Sequence, residues 1–247
     1  MAKTLVLAEK PSVARDIARV LGCKGKGDGC IIGQNYIITW ALGHLVTLAD
    51  PDAYDDKYKR WNLEDLPMLP DKMKLITIKQ TSKQYRAVSA LMKRPDVDKL
   101  VIATDAGREG ELVARWIIDK VGFKKPMKRL WISSMTDKAI KEGFKSLVDA
   151  KNYNRLYDAA VARACADWLV GLNVSRALTV KFNASLSAGR VQTPTLGLIV
   201  EREKEIIRKN SDYIENEEYR AYYVNFLKNN KNKKNQNKNL KKQKKIL

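Results

Sequence analysis

An α/β fold built around a mostly parallel sheet is predicted by three observations: two apolar strands that each run into a charged turn, a helix behind each turn, and a change to helical periodicity in the second half. The first strand is Thr4-Leu5-Val6-Leu7-Ala8, followed by Glu9-Lys10 and a helix opened by Pro11-Ser12, with Val13, Ile17, Val20 and Leu21 at helical spacing. The second is Leu100-Val101-Ile102-Ala103, a run suited to a strand covered on both faces. It enters Thr104-Asp105-Ala106-Gly107-Arg108-Glu109-Gly110-Glu111, after which Leu112, Val113, Trp116 and Ile117 recur at helical spacing.

Between these strands, Gly22 to Gly33 reads as a turn. The glycines of Gly22-Cys23-Lys24-Gly25-Lys26-Gly27-Asp28-Gly29 lack the Gly-Lys-Ser/Thr ending of a phosphate loop. Ile31-Ile32 and Tyr36 to Trp40 flank Gly33-Gln34-Asn35 as a hairpin. Asp50 to Pro70 is polar, tyrosine-rich and punctuated by proline, and is expected to be a long surface loop. Lys72 to Thr77 reads as a strand, Thr81 to Lys93 as a helix ended by Pro95, and Arg129 to Ser133 as a further strand. Strands alternating with helices make a Rossmann-like unit closing near residue 135. From Thr136 the chain turns helical, with Thr136 as an N-cap and a long apolar and small-residue run from Tyr153 to Leu172. The predicted organisation is therefore residues 1–135 as the α/β domain, 136–210 as a partial helical domain, and 211–247 as a largely disordered tail rich in lysine and asparagine.

The net charge of +19 calls for a polyanionic partner, nucleic acid ahead of a membrane surface, since no amphipathic anchor or long apolar segment is evident. Nine lysines and no acids fall between Lys228 and Leu247, so about half of that charge belongs to the tail. Cys23, Cys30 and Cys165 form no CxxC pair, and Met-Ala-Lys-Thr leads straight into a strand, which together predict a reduced, cytoplasmic protein without structural zinc.

Asp105 and Glu109 are four residues apart across a strand-to-helix turn and can face the same side. Oxygen-only ligands of this kind suit Mg2+, although acids at such a turn also cap helices and favour their dipole. If the two strands are neighbours, Glu9 joins them with Lys10 alongside. Near the other end, Ser187-Ala188-Gly189-Arg190 followed by Val191-Gln192 offers backbone N–H groups, a hydroxyl and a guanidinium fork before a helix, an anion site suited to a phosphate. In the loop, Lys57-Tyr58-Lys59-Arg60-Trp61 alternates cations and aromatics as a single-strand stacking surface does, with a loop packed back on the domain as the other reading.

The strand-Glu-Lys-Pro-Ser start, followed a hundred residues later by Thr-Asp-Ala-Gly-Arg-Glu-Gly-Glu, resembles the Toprim domain of bacterial type IA DNA topoisomerases. Asp167-Trp168-Leu169-Val170-Gly171, Asn173 to Thr179 and Ser187 to Leu196 resemble the next domain of the same family. The resemblance implies an Mg2+-dependent isomerase acting on single-stranded DNA, in relaxation or decatenation within the bacterial nucleoid. It implies Glu9, Asp105 and Glu109 as metal ligands, Glu9, Lys10 and Glu109 as catalytic groups, and Trp61, Trp168, Arg176 and the segment Ser187 to Gln192 as DNA contacts, with His44 near the DNA path. The chain departs from the family's Asp-x-Asp-x-Glu at Gly107, which stands where a second acid is usual.

The resemblance runs from about Lys3 to Ile206, and no tyrosine has the Tyr-Pro-Arg-Thr context of the family's nucleophile. Tyr213, Tyr219, Tyr222 and Tyr223 lack the proline and arginine. The expected protein is therefore a truncated topoisomerase whose attacking tyrosine belongs to a missing C-terminal polypeptide. Two alternatives compete with it: a stand-alone Toprim metal-dependent nuclease, and a non-catalytic DNA-binding protein.

Overall fold

The computed structural model describes residues 2–209. They divide into two compact units, the first ending at Gly189 and the second beginning at Arg190. The tail and its tyrosines lie outside the described residues.

The first unit is built on a seven-stranded sheet. Its strands are β1 (Lys3–Ala8), β2 (Gly25–Gly27), β3 (Cys30–Ile32), β4 (Tyr36–Trp40), β7 (Val97–Ala103), β8 (Met127–Arg129) and β9 (Val148–Asp149), in the order β2-β3-β4-β1-β7-β8-β9. A separate two-stranded sheet pairs β5 (Val46–Leu48) with β6 (Leu75–Thr77). Its helices are α1 (Pro11–Val20), α2 (Ser82–Met92), α3 (Arg108–Val121), α4 (Asp137–Lys145) and α5 (Asn154–Phe182).

The four central strands, β4, β1, β7 and β8, run parallel, and the two edges are closed by antiparallel pairs. Alternation along β1 sends Leu5 and Leu7 to one face and Val6 and Ala8 to the other. Leu5, Leu7, Leu100 and Ile102 pack with residues of α2, α3 and α5, while Val6, Ala8, Val101 and Ala103 pack with α1 and α4. Both faces of the sheet are therefore dry along Leu5–Ala8 of β1 and Leu100–Ala103 of β7, as their continuous apolar runs require.

The helix signals in the sequence hold. Pro11 occupies the first turn of α1 and Thr136 Oγ1 accepts the Ala139 N–H at 3.3 Å to cap α4, while Gly122, a helix end not read from the sequence, closes α3 in the left-handed region at φ 73°. Several readings need correction. The glycine-rich stretch is more than a turn, since Gly25–Gly27 pairs with Cys30–Ile32 as the outermost strand. The predicted strand at 72–77 shortens to Leu75–Thr77 and leaves the main sheet to pair with β5. The strand expected from Arg129 ends there instead, because a register of only three pairs joins β8 to β7. The long helix extends ten residues beyond Leu172, to Phe182.

In the second unit, α6 (Gln192–Lys209) follows the Ser-Ala-Gly-Arg segment as the sequence predicts. Its Leu196, Leu198 and Ile199 side chains are exposed.

Candidate active site

Parallel pairing of β1 with β7 puts Ala8 opposite Ala103, so the turns that follow the two strands leave the same edge of the sheet side by side. This is where open α/β sheets collect ligands. The Glu9 carboxylate accepts a hydrogen bond from the Asp105 backbone N–H at 2.9 Å, joining the two turns across 96 residues of sequence. The Lys10 ammonium stands 3.8 Å from the Asp105 carboxylate, with both side chains more than half exposed. Glu9, Lys10 and Asp105 therefore meet at one point.

Glu109 does not join them in this structure. It is the second residue of α3 and faces Arg163 of α5 at 3.7 Å, which also approaches Asp167 at 3.9 Å. Among the described residues, no three histidine, cysteine or acidic side chains are gathered closely enough to hold a metal ion. The donor set at the pair still suits a hard divalent cation: an exposed carboxylate on Asp105 and a half-buried one on Glu9, oxygen ligands only, with the Lys10 ammonium 3.8 Å from Asp105.

Beneath the turn lies a buried construction that spacing alone did not single out. The Arg129 guanidinium, at the end of β8, is fully buried. It donates to the Thr104 and Asp105 carbonyls at 2.7 Å each, to Leu130 at 2.8 Å and to Ile102 at 3.2 Å. Its Nε meets the Glu111 carboxylate at 2.6 Å, and Arg115 reaches the other oxygen of Glu111 at 3.2 Å and the Ala150 carbonyl at 2.6 Å. Burial pulls the Arg129 pKa below its ordinary value, while the Glu111 charge and hydrogen bond hold the proton in place.

Thr104 Oγ1 donates to the Gly110 carbonyl at 2.8 Å, and a Cβ at Gly110 would overlap the Asp105 backbone. The Asp105 turn is thus fastened from below by an ion-paired arginine and from the side by α3. One readable signal existed: Glu111 and Arg115 are four residues apart on one helix.

A cavity of about 600 Å3 opens beside Glu109, lined by His44, Asp50, Trp116, Asp167 and Trp168 among others. His44 meets Trp116 edge-on with ring centres 6.0 Å apart. Trp168 donates its indole N–H to the Ala49 carbonyl at 2.9 Å and packs against Tyr54, so it is anchored in the fold while its remaining surface lines the cavity.

The loop at 50–70 is pinned to α5 by Asn173, which the sequence marked only as part of a family-like segment and not for this contact. Asn173 accepts the Met68 N–H at 2.6 Å and donates to the Met68 carbonyl at 3.1 Å. Arg176 and Trp61 are brought together, the guanidinium standing 5.0 Å from the exposed indole and donating to the Tyr58 carbonyl at 2.8 Å. Arg176 is itself buried, and desolvation lowers its pKa, so its charge braces the loop rather than facing solvent. The end of the first unit is tied down by Ser175, whose hydroxyl accepts the Ala188 N–H at 2.9 Å. Ser187 is exposed there, and Arg190, Val191 and Gln192, exposed as well, belong to the second unit.

Comparison with known proteins converges on one group. Residues 4–135 match the Toprim domain and residues 151–247 match a family described as DNA topoisomerase. DNA topoisomerase 3 of Bacillus thuringiensis (strain Al Hakam) is 66% identical over 206 residues, which are 83% of this chain and 28% of the relative. DNA topoisomerase 3 of Bacillus subtilis (strain 168) is 64% identical over the same span. The chain thus spans less than a third of the length of these relatives. Full-length topoisomerase I from Thermotoga maritima superposes with a TM-score of 0.60 at 27% identity, covering 83% of this chain and 31% of that one.

Proposed function

For a chain that belongs to the type IA DNA topoisomerase family, we propose the metal- and phosphate-handling half of a strand-passage reaction on single-stranded DNA. The observation that carries this reading is the junction of Glu9, Lys10 and Asp105 at the end of two adjacent parallel strands. Glu9 and Asp105 would hold one Mg2+, with Glu109 reaching it through water or after leaving Arg163. Bound there, the ion supplies charge stabilisation to a phosphoryl oxygen.

The chain's own groups do the remainder. Lys10 sits on an extended residue just before α1, free to turn from Asp105 to a phosphodiester and to carry a proton to the leaving 3′ oxygen. Arg163 compensates Glu109 and Asp167, two of the acids that line the cavity, and so limits their repulsion of phosphate. Trp61, Trp168, His44 and Ser187 to Gly189 are the first unit's contacts with the strand, and Arg190, Val191 and Gln192 are the second unit's. No tyrosine among the described residues has the Tyr-Pro-Arg-Thr context, so they bind DNA in the bacterial nucleoid without supplying the attacking group.

The test is single-stranded oligonucleotide affinity with and without Mg2+, for the natural chain and for Glu9→Gln with Asp105→Asn. Mg2+ is expected to tighten binding by the natural chain and to have little effect on the variant, whose carboxylates no longer repel phosphate. No covalent adduct should form. An adduct made by this chain alone would overturn the division of labour, and Mg2+-dependent nicking without one would favour the hydrolase reading.

A further inference from the structure

The acidic turns sit beside a second surface of opposite charge. A groove of about 590 Å3 runs between α1 and the β2–β3 hairpin. One wall carries Arg15 and Arg19 from α1, and the other carries Lys24 and Lys26 from the hairpin. Ile31 and Trp40 contribute apolar surface, and no acidic residue lines the groove. Arg19 is neutralised, since it pairs with Asp137 at 2.7 Å and approaches Asp16 at 3.4 Å. Arg15, Lys24 and Lys26 are exposed and make no ion pair among the described residues. Three uncompensated cations around one concave surface concentrate positive potential there.

Trp40 fixes where the groove opens. It is the last residue of β4 and pairs in register with Ala8, the residue before Glu9. The groove therefore begins one strand away from the Glu9 and Asp105 junction, on the side away from the cavity that holds His44 and Trp168.

We propose that this groove is a second nucleic-acid subsite, which takes the stretch of single strand leaving the acidic junction on the α1 side. Phosphates lie against Arg15, Lys24 and Lys26, and one base rests on the Trp40 indole, as in sequence-independent single-strand surfaces. Cations on two facing walls suit one backbone between them, whereas a duplex presents its phosphates on a convex surface too wide to enter. The subsite rests on the reading of this chain as a DNA-handling protein, but involves neither the metal pair nor the helical segment.

Lysine footprinting of the full chain in EDTA tests it. The chain is acylated with and without a single-stranded oligonucleotide, and modification is read peptide by peptide by mass spectrometry. Protection of Lys24 and Lys26 is expected, with Lys99, toward the amino end of β7, unprotected. A second arm uses Arg15→Gln/Lys24→Gln/Lys26→Gln, three exposed positions whose loss leaves the core intact. Its plot of log affinity against log salt should be shallower by about 2, as three lost single-strand phosphate contacts require. If the oligonucleotide binds and both lysines react as fast as in the free chain, or the variant keeps the natural slope, the groove is overturned and the DNA reading survives. If no oligonucleotide binds at all, both fall together.

Discussion

The two strand-to-helix turns at the candidate site are alike in sequence pattern and opposite in construction. The β7–α3 turn is held from inside: Arg129 ties down its carbonyls, Glu111 and Arg115 complete a buried ionic group, and Gly110 lets α3 close against the Asp105 backbone. The β1–α1 turn has no such foundation. Its Glu9 reaches across to the Asp105 N–H, and Lys10 makes an exposed ion pair with Asp105. One turn is a platform braced by buried groups, and the other is held by a cross-turn hydrogen bond and an exposed ion pair.

The sharpest way to break this contrast is Arg129→Met. Removing one partner of a buried ionic group leaves Glu111 short of a counter-charge and four carbonyls short of a donor, so a loss of about 3–5 kcal/mol in unfolding free energy is expected from denaturant titration. Gly110→Ala follows, because a methyl group there collides with the Asp105 backbone. Relieving that overlap should cost about 2 kcal/mol and move Asp105 away from Glu9, with metal affinity falling alongside stability.

On the other turn the expected effects on stability are small. Lys10→Ala removes an exposed ion pair and should shift stability by less than about 0.5 kcal/mol, while single-stranded DNA binding weakens in the presence of Mg2+. Smallest is Gly107→Asp. The Gly107 backbone is extended at φ 173° and nothing stands within 4 Å of a Cβ there, so the acid usual in the wider family fits. A few tenths of a kcal/mol of stabilisation at this N-cap is expected, together with tighter binding of Mn2+ through a third carboxylate.

Most of the platform's position was readable in the sequence, and most of its foundation was not. Apolar runs before Glu9 and Asp105 announced two buried strands, and Pro11 and Thr136 marked helix starts through local chemistry that tertiary contacts did not override. That β1 and β7 are neighbours, with β7 inserted between β1 and β8, is a long-range pairing that no local pattern encodes. Arg129 looked like the start of a strand because a charged residue was not expected to be the largest fully buried side chain in the fold. Glu111 was one acid among four, and only its burial separates it from Glu109. The small sheet of β5 and β6 was missed for a similar reason, since three-residue strands carry too few alternations to declare a partner.

The candidate contacts divide in the same way. Ser187 to Gln192 announced a helix start, and α6 begins there. Trp61 and Arg176 were both expected to face DNA. Their mutual cation–π contact, and the burial of the arginine, depend on α5 crossing the loop and were invisible until the fold placed them together.

The measurement that tests the central claim most directly is a Mn2+ titration of the full chain followed by the electron paramagnetic resonance signal of the free ion. The account predicts one bound ion per chain, lost in Glu9→Gln and in Asp105→Asn while both variants unfold at the same denaturant concentration as the natural chain. Binding that survives both substitutions would contradict it, and would mean that the junction of the two turns serves the fold alone.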